Sequence, residues 1–245
     1  MADEKRPSVL VISAHSGDFV WRAGGAIALA AERGIAPVIV CLSDGARGES
    51  AHLWREGNDL EEVIRIRRDE ARRAADVLGA EIEFFGALDY PLDVDQELVN
   101  RLVETYRRVQ PTVVLTHAAS DPYNFDHAQA HEVALRARVY AQAIGYPADG
   151  DVLGAPPVFQ FEPHQPEQCG FQPDVLLDIT SVFERKQKAM ECMRAQQHLW
   201  KYYTDLAERR GVQARRNSGP NLGLPAQTKA EAFQRVYPQV TEMLA

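Results

Sequence analysis

Short apolar runs and longer amphipathic stretches alternate along the chain, and that rhythm predicts its fold. Val9-Leu10-Val11-Ile12 is apolar and rich in β-branched residues, with no polar alternation, as in a strand covered on both faces. Comparable runs recur at Ala36–Leu42, Glu81–Phe85, Thr112–Thr116, Val158–Phe161 and Val175–Ile179. Between them lie helical patterns. Phe19–Arg33 is Ala-rich and stops at Gly34, and Gln96–Gln110 spaces Leu98, Leu102 and Tyr106 four apart. Asp59–Leu78 is charged and amphipathic, with Val63, Ile66, Ala74 and Val77 as inward positions and Gly79 as its stop. A further helix is expected from Ala128 to Ala143, then a Gly- and Pro-rich linker from Gly145 to Pro157. Ser181–Glu208 reads as one helix with Ser181 and Glu184 in capping-box spacing, and Lys229–Leu244 as a last helix. Strand–helix alternation of this kind predicts an α/β protein with a Rossmann-like three-layer fold and a mostly parallel sheet. No internal repeat or low-complexity segment divides residues 1–245, so one domain is expected, its part from about 150 onward completing the site.

Three polar loops interrupt the pattern at strand ends. Ser43–Asn58 holds Asp44, Arg47, Glu49, His52 and Trp54; Thr116–His127 holds His117, Asp121, Asn124 and His127; Glu162–Gln168 holds His164. Ligands of open α/β sheets sit at the carboxyl ends of the strands, so these loops are the candidate site. The first strand stops at Ala14-His15-Ser16-Gly17-Asp18, which puts His15 and Asp18 at the same edge.

Composition narrows the function classes. An apolar content of 45% with 25% charged residues describes an ordinary globular chain. With 35 acids against 27 bases, the net charge of −8 argues against a nucleic acid or an anionic membrane surface as partner. The charged start MADEKRPS and the lack of a long apolar run predict a cytoplasmic protein. Cys41, Cys169 and Cys192 have no paired spacing and read as small buried residues, so any metal falls to His and carboxylate.

His15 and Asp18, three positions apart, can ligate one ion, and His127 after the fourth strand is a natural third ligand. Two His and a carboxylate with an open position is a catalytic zinc pattern, although a strand-end His is also a common hydrogen-bonding residue. His117 and Asp121 fit either as partners that orient such ligands or as plain hydrogen bonders. His52, His131 and His198 read as structural or surface residues, and Trp21, Trp54 and Trp200 as core or interface aromatics.

AHSGDFVWRAGG resembles the AHPDDE-type signature of the LmbE/PIG-L family of zinc-dependent deacetylases, and DPYNFDHAQA resembles that family's second signature. Arg68-Asp69-Glu70, Leu78-Gly79 and Ala230-Glu231-Ala232-Phe233 are further family-like marks. The resemblance implies Zn2+ on His15, Asp18 and His127. Two departures stand out. The family's deacetylases use the carboxylate just before the ligand Asp as general base, and Gly17 stands there; the first His of the second signature is replaced by Asn124. The blocks HSGDFVWRAGGAIALAAERG, CLSDGARGES, YRRVQP, DPYNFDH, GAPPVFQFEPHQPEQC and HLWKYYTDLAERRGVQARRN are similar to a zinc-dependent hydratase branch of the family, which serves gallate and protocatechuate degradation. That branch adds water to a carbon–carbon double bond conjugated to a keto acid in a small tricarboxylate. The resemblance implies Glu49 and His164 as the acid and base. Arg47, Arg22, Arg215 beside Arg216, and Asn124 are candidate carboxylate binders, because guanidinium grips carboxylates bidentately. Taken alone, without the resemblance, Glu49 reads rather as a solvated loop carboxylate. An N-acetyl-sugar deacetylase is the alternative activity and a metal-free binding module the non-catalytic one. A homo-oligomer is expected, with the stretch Asn217–Pro225 covering the site or a neighbour's.

Overall fold

The computed structural model describes residues 6–218 and 223–242. It opens with β1 (Ser8–Ser13), α1 (Asp18–Glu32), β2 (Ala36–Ser43), α2 (Ala51–Arg55), α3 (Leu60–Leu78) and β3 (Glu81–Ala87). Then follow α4 (Gln96–Val109), β4 (Val113–Thr116), α5 (Phe125–Ala141), β5 (Val158–Phe161) and β6 (Val175–Asp178). The chain ends with α6 (Phe183–Cys192), α7 (Leu199–Asn217) and β7 (Ala230–Arg235).

The strands form a seven-stranded sheet in the order β3-β2-β1-β4-β5-β7-β6. The pairs β1·β2, β2·β3, β1·β4 and β4·β5 are parallel, and β7 runs antiparallel to both β5 and β6. β1 explains the unbroken apolar run. Val9 and Val11 pack into the core under α1, α3 and α6, while Leu10 and Ile12 pack into the core under α4 and α5. Both faces of the central strand are thus covered, giving the expected three layers. The chain leaves β1 toward β2 on one side and β4 on the other. That reversal opens a crevice at their carboxyl ends, the usual ligand position.

Three helical expectations are corrected. The stretch predicted as a last helix over Lys229–Leu244 instead enters the sheet as β7, with Phe233 opposite both Phe161 and Val175; residues 243 and 244 lie outside the described residues. Its Ala and Glu content favours a helix locally, but two strand edges waiting for hydrogen bonds override that preference. The predicted single helix Ser181–Glu208 breaks after Cys192, passes through a 3-10 turn at 194–196 and resumes as α7 up to Asn217. Nor does Ser181 cap it. The Asp178 carboxylate accepts from the Thr180 N–H and hydroxyl, and α6 starts without a side-chain cap. α5 begins three residues early, at Phe125, because the Asn124 side chain accepts from the Asp126 N–H. A short helix, α2, lies inside the first polar loop. Of the stretch Asn217–Pro225, residues 219–222 lie outside the described residues.

β7 also carries a buried ion pair. Glu231 accepts from the Gly25 N–H at 2.7 Å, the Ala26 N–H at 2.8 Å and the Lys186 ammonium at 2.7 Å. Lys186 donates in addition to the Trp21 carbonyl, so α1, α6 and β7 are fastened at one point. Replacing Glu231 by Ala leaves a buried ammonium without its counter-charge, which costs about 3–5 kcal/mol. The expected result is a lower urea midpoint at unchanged m-value.

Candidate active site

His15 stands two residues past the end of β1 at Ser13, and α1 starts three residues later at Asp18. The Asp18 carboxylate turns back to accept the His15 N–H at 2.8 Å, which packs the two side chains together. His127 lies in the first turn of α5, placed by the Asn124 cap. The three side chains converge: His15 Nδ1 is 3.3 Å and His127 Nε2 3.5 Å from the Asp18 carboxylate. All three are buried.

The outward nitrogens decide which atoms are free. His15 Nε2 is 3.1 Å from Asp126, and His127 Nδ1 is 2.8 Å from Asp121. An N–H on each of these nitrogens donates to its carboxylate, which orients both rings and leaves His15 Nδ1 and His127 Nε2 facing inward. Those two inward nitrogens are buried and have no hydrogen-bond partner. Orphaned acceptors beside a buried carboxylate, each ring backed by a second carboxylate, are what a divalent metal requires. His117 also approaches Asp18, at 3.3 Å, but its Nε2 accepts the Ala14 N–H at 2.9 Å. Its lone pair is spent on that N–H, and the side chains close enough to share one ion fall into two groups, His15 with Glu49 and His127, and Asp18 with His117 and His127.

Charge follows the same logic. Burial opposes a charged ring at His15, yet hydrogen bonds with Asp126 and Asp18 and the Asp18 and Glu49 charges push it up to about 10. Burial likewise opposes the Asp18 carboxylate, but the imidazoles of His117 and His127 hold it well below its usual range. Burial and the neighbouring His127 push His117 down to about 3. In the metal-free protein a proton on His15 thus takes the place of a cation.

Glu49 reaches this cluster from the loop after β2. Its Oε1 is 3.8 Å from His15 Nδ1. Gly45 makes the approach possible: its φ is +67°, and a Cβ there would lie 3.0 Å from the His15 Cβ and 3.1 Å from the Glu49 Cβ. Asn124 Nδ2 donates to Glu49 Oε1 at 3.0 Å, so the amide expected to meet a substrate carboxylate is instead engaged with Glu49. Arg22, buried on α1, stands 3.6 Å from Asp18 through Nε and donates from Nη1 to the Glu162 carbonyl. Its Nε has no hydrogen-bond partner, and Asp18 is the carboxylate it faces.

His164 follows β5 and sits against Tyr202 and Tyr203. Tyr202 donates its hydroxyl to the His164 carbonyl at 2.5 Å, and the Tyr203 hydroxyl lies 3.4 Å from His164 Nδ1. Burial and the Arg22 charge push His164 down to about 3. Two arginines are not brought into this group. Arg47 is exposed, its main chain and guanidinium directed to Asp89; Arg215 is half-buried on α7 and has no bond to the cluster. Asp126, Gln196 and Tyr203 belong to the site although no sequence pattern singled them out. For Asp126, its position just before the ligand His was the available signal.

Two outcomes follow from this geometry. Asp121→Asn should weaken divalent-metal affinity about 10- to 100-fold while the fold persists, as chelator competition reads directly. Because His15 holds a proton up to about 10, metal uptake near neutral pH should release a proton. Calorimetric titration in buffers of different ionisation enthalpy measures that release, and affinity should rise with pH.

A family model described as GlcNAc-PI de-N-acetylase, PIG-L, matches residues 10–138. The chain is 55% identical over 239 residues to the 4-oxalmesaconate hydratase of Pseudomonas putida KT2440, covering 97% of this chain and 92% of that protein. The crystal structure of GalB, the 4-carboxy-2-hydroxymuconate hydratase of Pseudomonas putida KT2440, superposes with a TM-score of 0.94 at 55% identity, over 98% of this chain and 100% of that one. The N,N'-diacetylchitobiose deacetylase of Pyrococcus horikoshii shares the fold, with a TM-score of 0.76 at 23% identity over 95% of this chain and 84% of that one. By the span of the family model and the identity to its relatives, the chain belongs to the PIG-L family.

Proposed function

We propose that the protein is a zinc-dependent hydratase that adds water to the carbon–carbon double bond of 4-oxalomesaconate, giving 4-carboxy-4-hydroxy-2-oxoadipate. The observation that carries this reading is where the proton-handling carboxylate stands. Position 17 is Gly and holds none, whereas Glu49, from another loop, lies 3.8 Å from His15 Nδ1. The 55% identity to a protein named for that activity agrees with it.

His15, Asp18 and His127 would hold the zinc, which supplies Lewis acidity at the head of the crevice. The remaining chemistry falls to side chains. Hydration needs one proton taken from water and one returned to carbon, and on this reading Glu49 and His164 carry one transfer each. His164 begins as a neutral imidazole, an acceptor at one nitrogen and a donor at the other, because burial and Arg22 keep it uncharged. Arg22, buried beside Asp18, is the candidate to meet a substrate carboxylate with its guanidinium. Arg47 and Arg215 remain candidates for the other carboxylates, reached from the rim and from α7.

A small anionic substrate suits a site at a sheet crevice rather than a broad face. No helix among the described residues is long and apolar enough to cross a membrane. All three cysteines are unpaired, in keeping with the reducing cytoplasm in which the reading places the enzyme, within gallate or protocatechuate degradation.

Glu49→Ala should keep its zinc while turnover falls by about 10²-fold or more, the usual loss for a general acid or base. The conjugated chromophore of the substrate reports turnover, and metal analysis of the same sample reports zinc. Loss of zinc together with activity would make Glu49 a ligand instead. Acetate released from N-acetylglucosaminyl substrates, with the tricarboxylate left untouched, would return the protein to the deacetylases.

A further inference from the structure

The space beside Gly17 is filled, and by an unexpected group. A Cβ at position 17 would lie 2.7 Å from Gln196 Oε1, 2.9 Å from Trp21 Nε1 and 3.1 Å from Arg67 Nη2. Gln196 comes from the 3-10 turn that interrupts the helix between α6 and α7, and it is buried. Its Oε1 accepts from Arg67 Nη2 at 2.8 Å and from Trp21 Nε1 at 3.4 Å. With the oxygen claimed by two donors, the amide has one orientation, and Nε2 faces the other way. There it donates to Glu49 Oε2 at 2.6 Å.

Arg67 is itself fixed. It is fully buried, pairs with Glu70 at 3.3 Å and lies 3.5 Å from the Asp44 carbonyl. Glu70 in turn accepts the Ala195 N–H at 3.0 Å, one residue before Gln196. On the far side of Glu49, the Asn124 amide is also oriented, its oxygen accepting the Asp126 N–H and its nitrogen donating to Oε1. Glu49 therefore receives one N–H on each oxygen from two amides that cannot turn over. This sets the plane of a carboxylate that otherwise stands on a half-exposed loop.

We propose that Gln196 is a positioning residue for Glu49, and that Gly17 is required because it leaves the room in which Gln196 sits. The break in the α6–α7 helix delivers the amide, the Arg67–Glu70 pair holds it, and the absent side chain at 17 admits it. The proposal rests on the proton-transfer role of Glu49 argued above.

Gln196→Glu is the informative variant, because it keeps an acceptor for Arg67 and Trp21 but turns a carboxylate oxygen, in place of N–H, toward Glu49. Turnover of 4-oxalomesaconate should fall about 10²-fold through kcat, the scale of loss on misplacing a reacting group. KM, zinc content and melting temperature should stay near wild type. Built into Glu49→Gln, the same substitution should cause no further loss, since it acts through a group already removed. An unchanged kcat, or an equal extra loss in the Glu49→Gln background, overturns the proposal. Gly17→Ala provides a second route should Gln196→Glu fold poorly. Its φ of −102° admits Ala, and the added methyl should displace Gln196 and lower kcat without loss of zinc. Wild-type kcat in Gly17→Ala likewise overturns it. Should the wild type show no hydration at all, the functional reading fails separately. Crystal structures of wild type and Gln196→Glu then decide the present point: a rotated Glu49 carboxylate supports it, and an unmoved one sinks it.

Discussion

A buried carboxylate with too few protons around it governs this structure. Asp18 lies among three imidazoles, and Asp126 and Asp121 hold the outer nitrogens of two of them so that His15 Nδ1 and His127 Nε2 face it. Such an assembly is stable only with positive charge at its centre, because buried charges left unpaired cost several kcal/mol. Without metal, a proton on His15 supplies that charge, and Arg22 adds a second from the side. A divalent ion meets the same need with better geometry. The surrounding hydrogen bonds, from the Asn124 cap to the Asp126 contacts with the Tyr90 and Leu92 N–H groups, hold the cluster to that arrangement.

Topology explains why the needed groups meet. Each comes from the carboxyl end of a different strand: His15 after β1, Glu49 after β2, His127 after β4, His164 after β5. The order β2-β1-β4-β5 sets those ends side by side at the point where the chain reverses direction across the sheet. Gln196 joins them from the α6–α7 break, away from the strand ends.

How much of this could be read from sequence depended on how local the cause was. β1, β2, α3 and α4 were legible because their core faces repeat at the period of the element. His15 and Asp18 stood out because they follow directly on the first apolar run, and His127 because it lies in the stretch that resembles the family's second signature. β7 was not, since its Ala and Glu prefer a helix and only the open edges of β5 and β6 make it a strand. Gln196 was invisible for the same reason. Its importance arises from contacts with Gly17, Arg67 and Glu49, residues 129 to 179 positions away in the chain, and no spacing rule joins them. The arginines show the converse: three basic residues looked equivalent in the chain, and only Arg22 is folded against Asp18.

The most direct test of the account is a crystal structure of the zinc-loaded protein with the hydration product bound. It should show the metal on His15 Nδ1, Asp18 and His127 Nε2, with Glu49 and His164 each within about 3.2 Å of the product at the hydrated carbons. A metal held by His117 in place of His15, or a product lying beyond reach of Glu49, would contradict it.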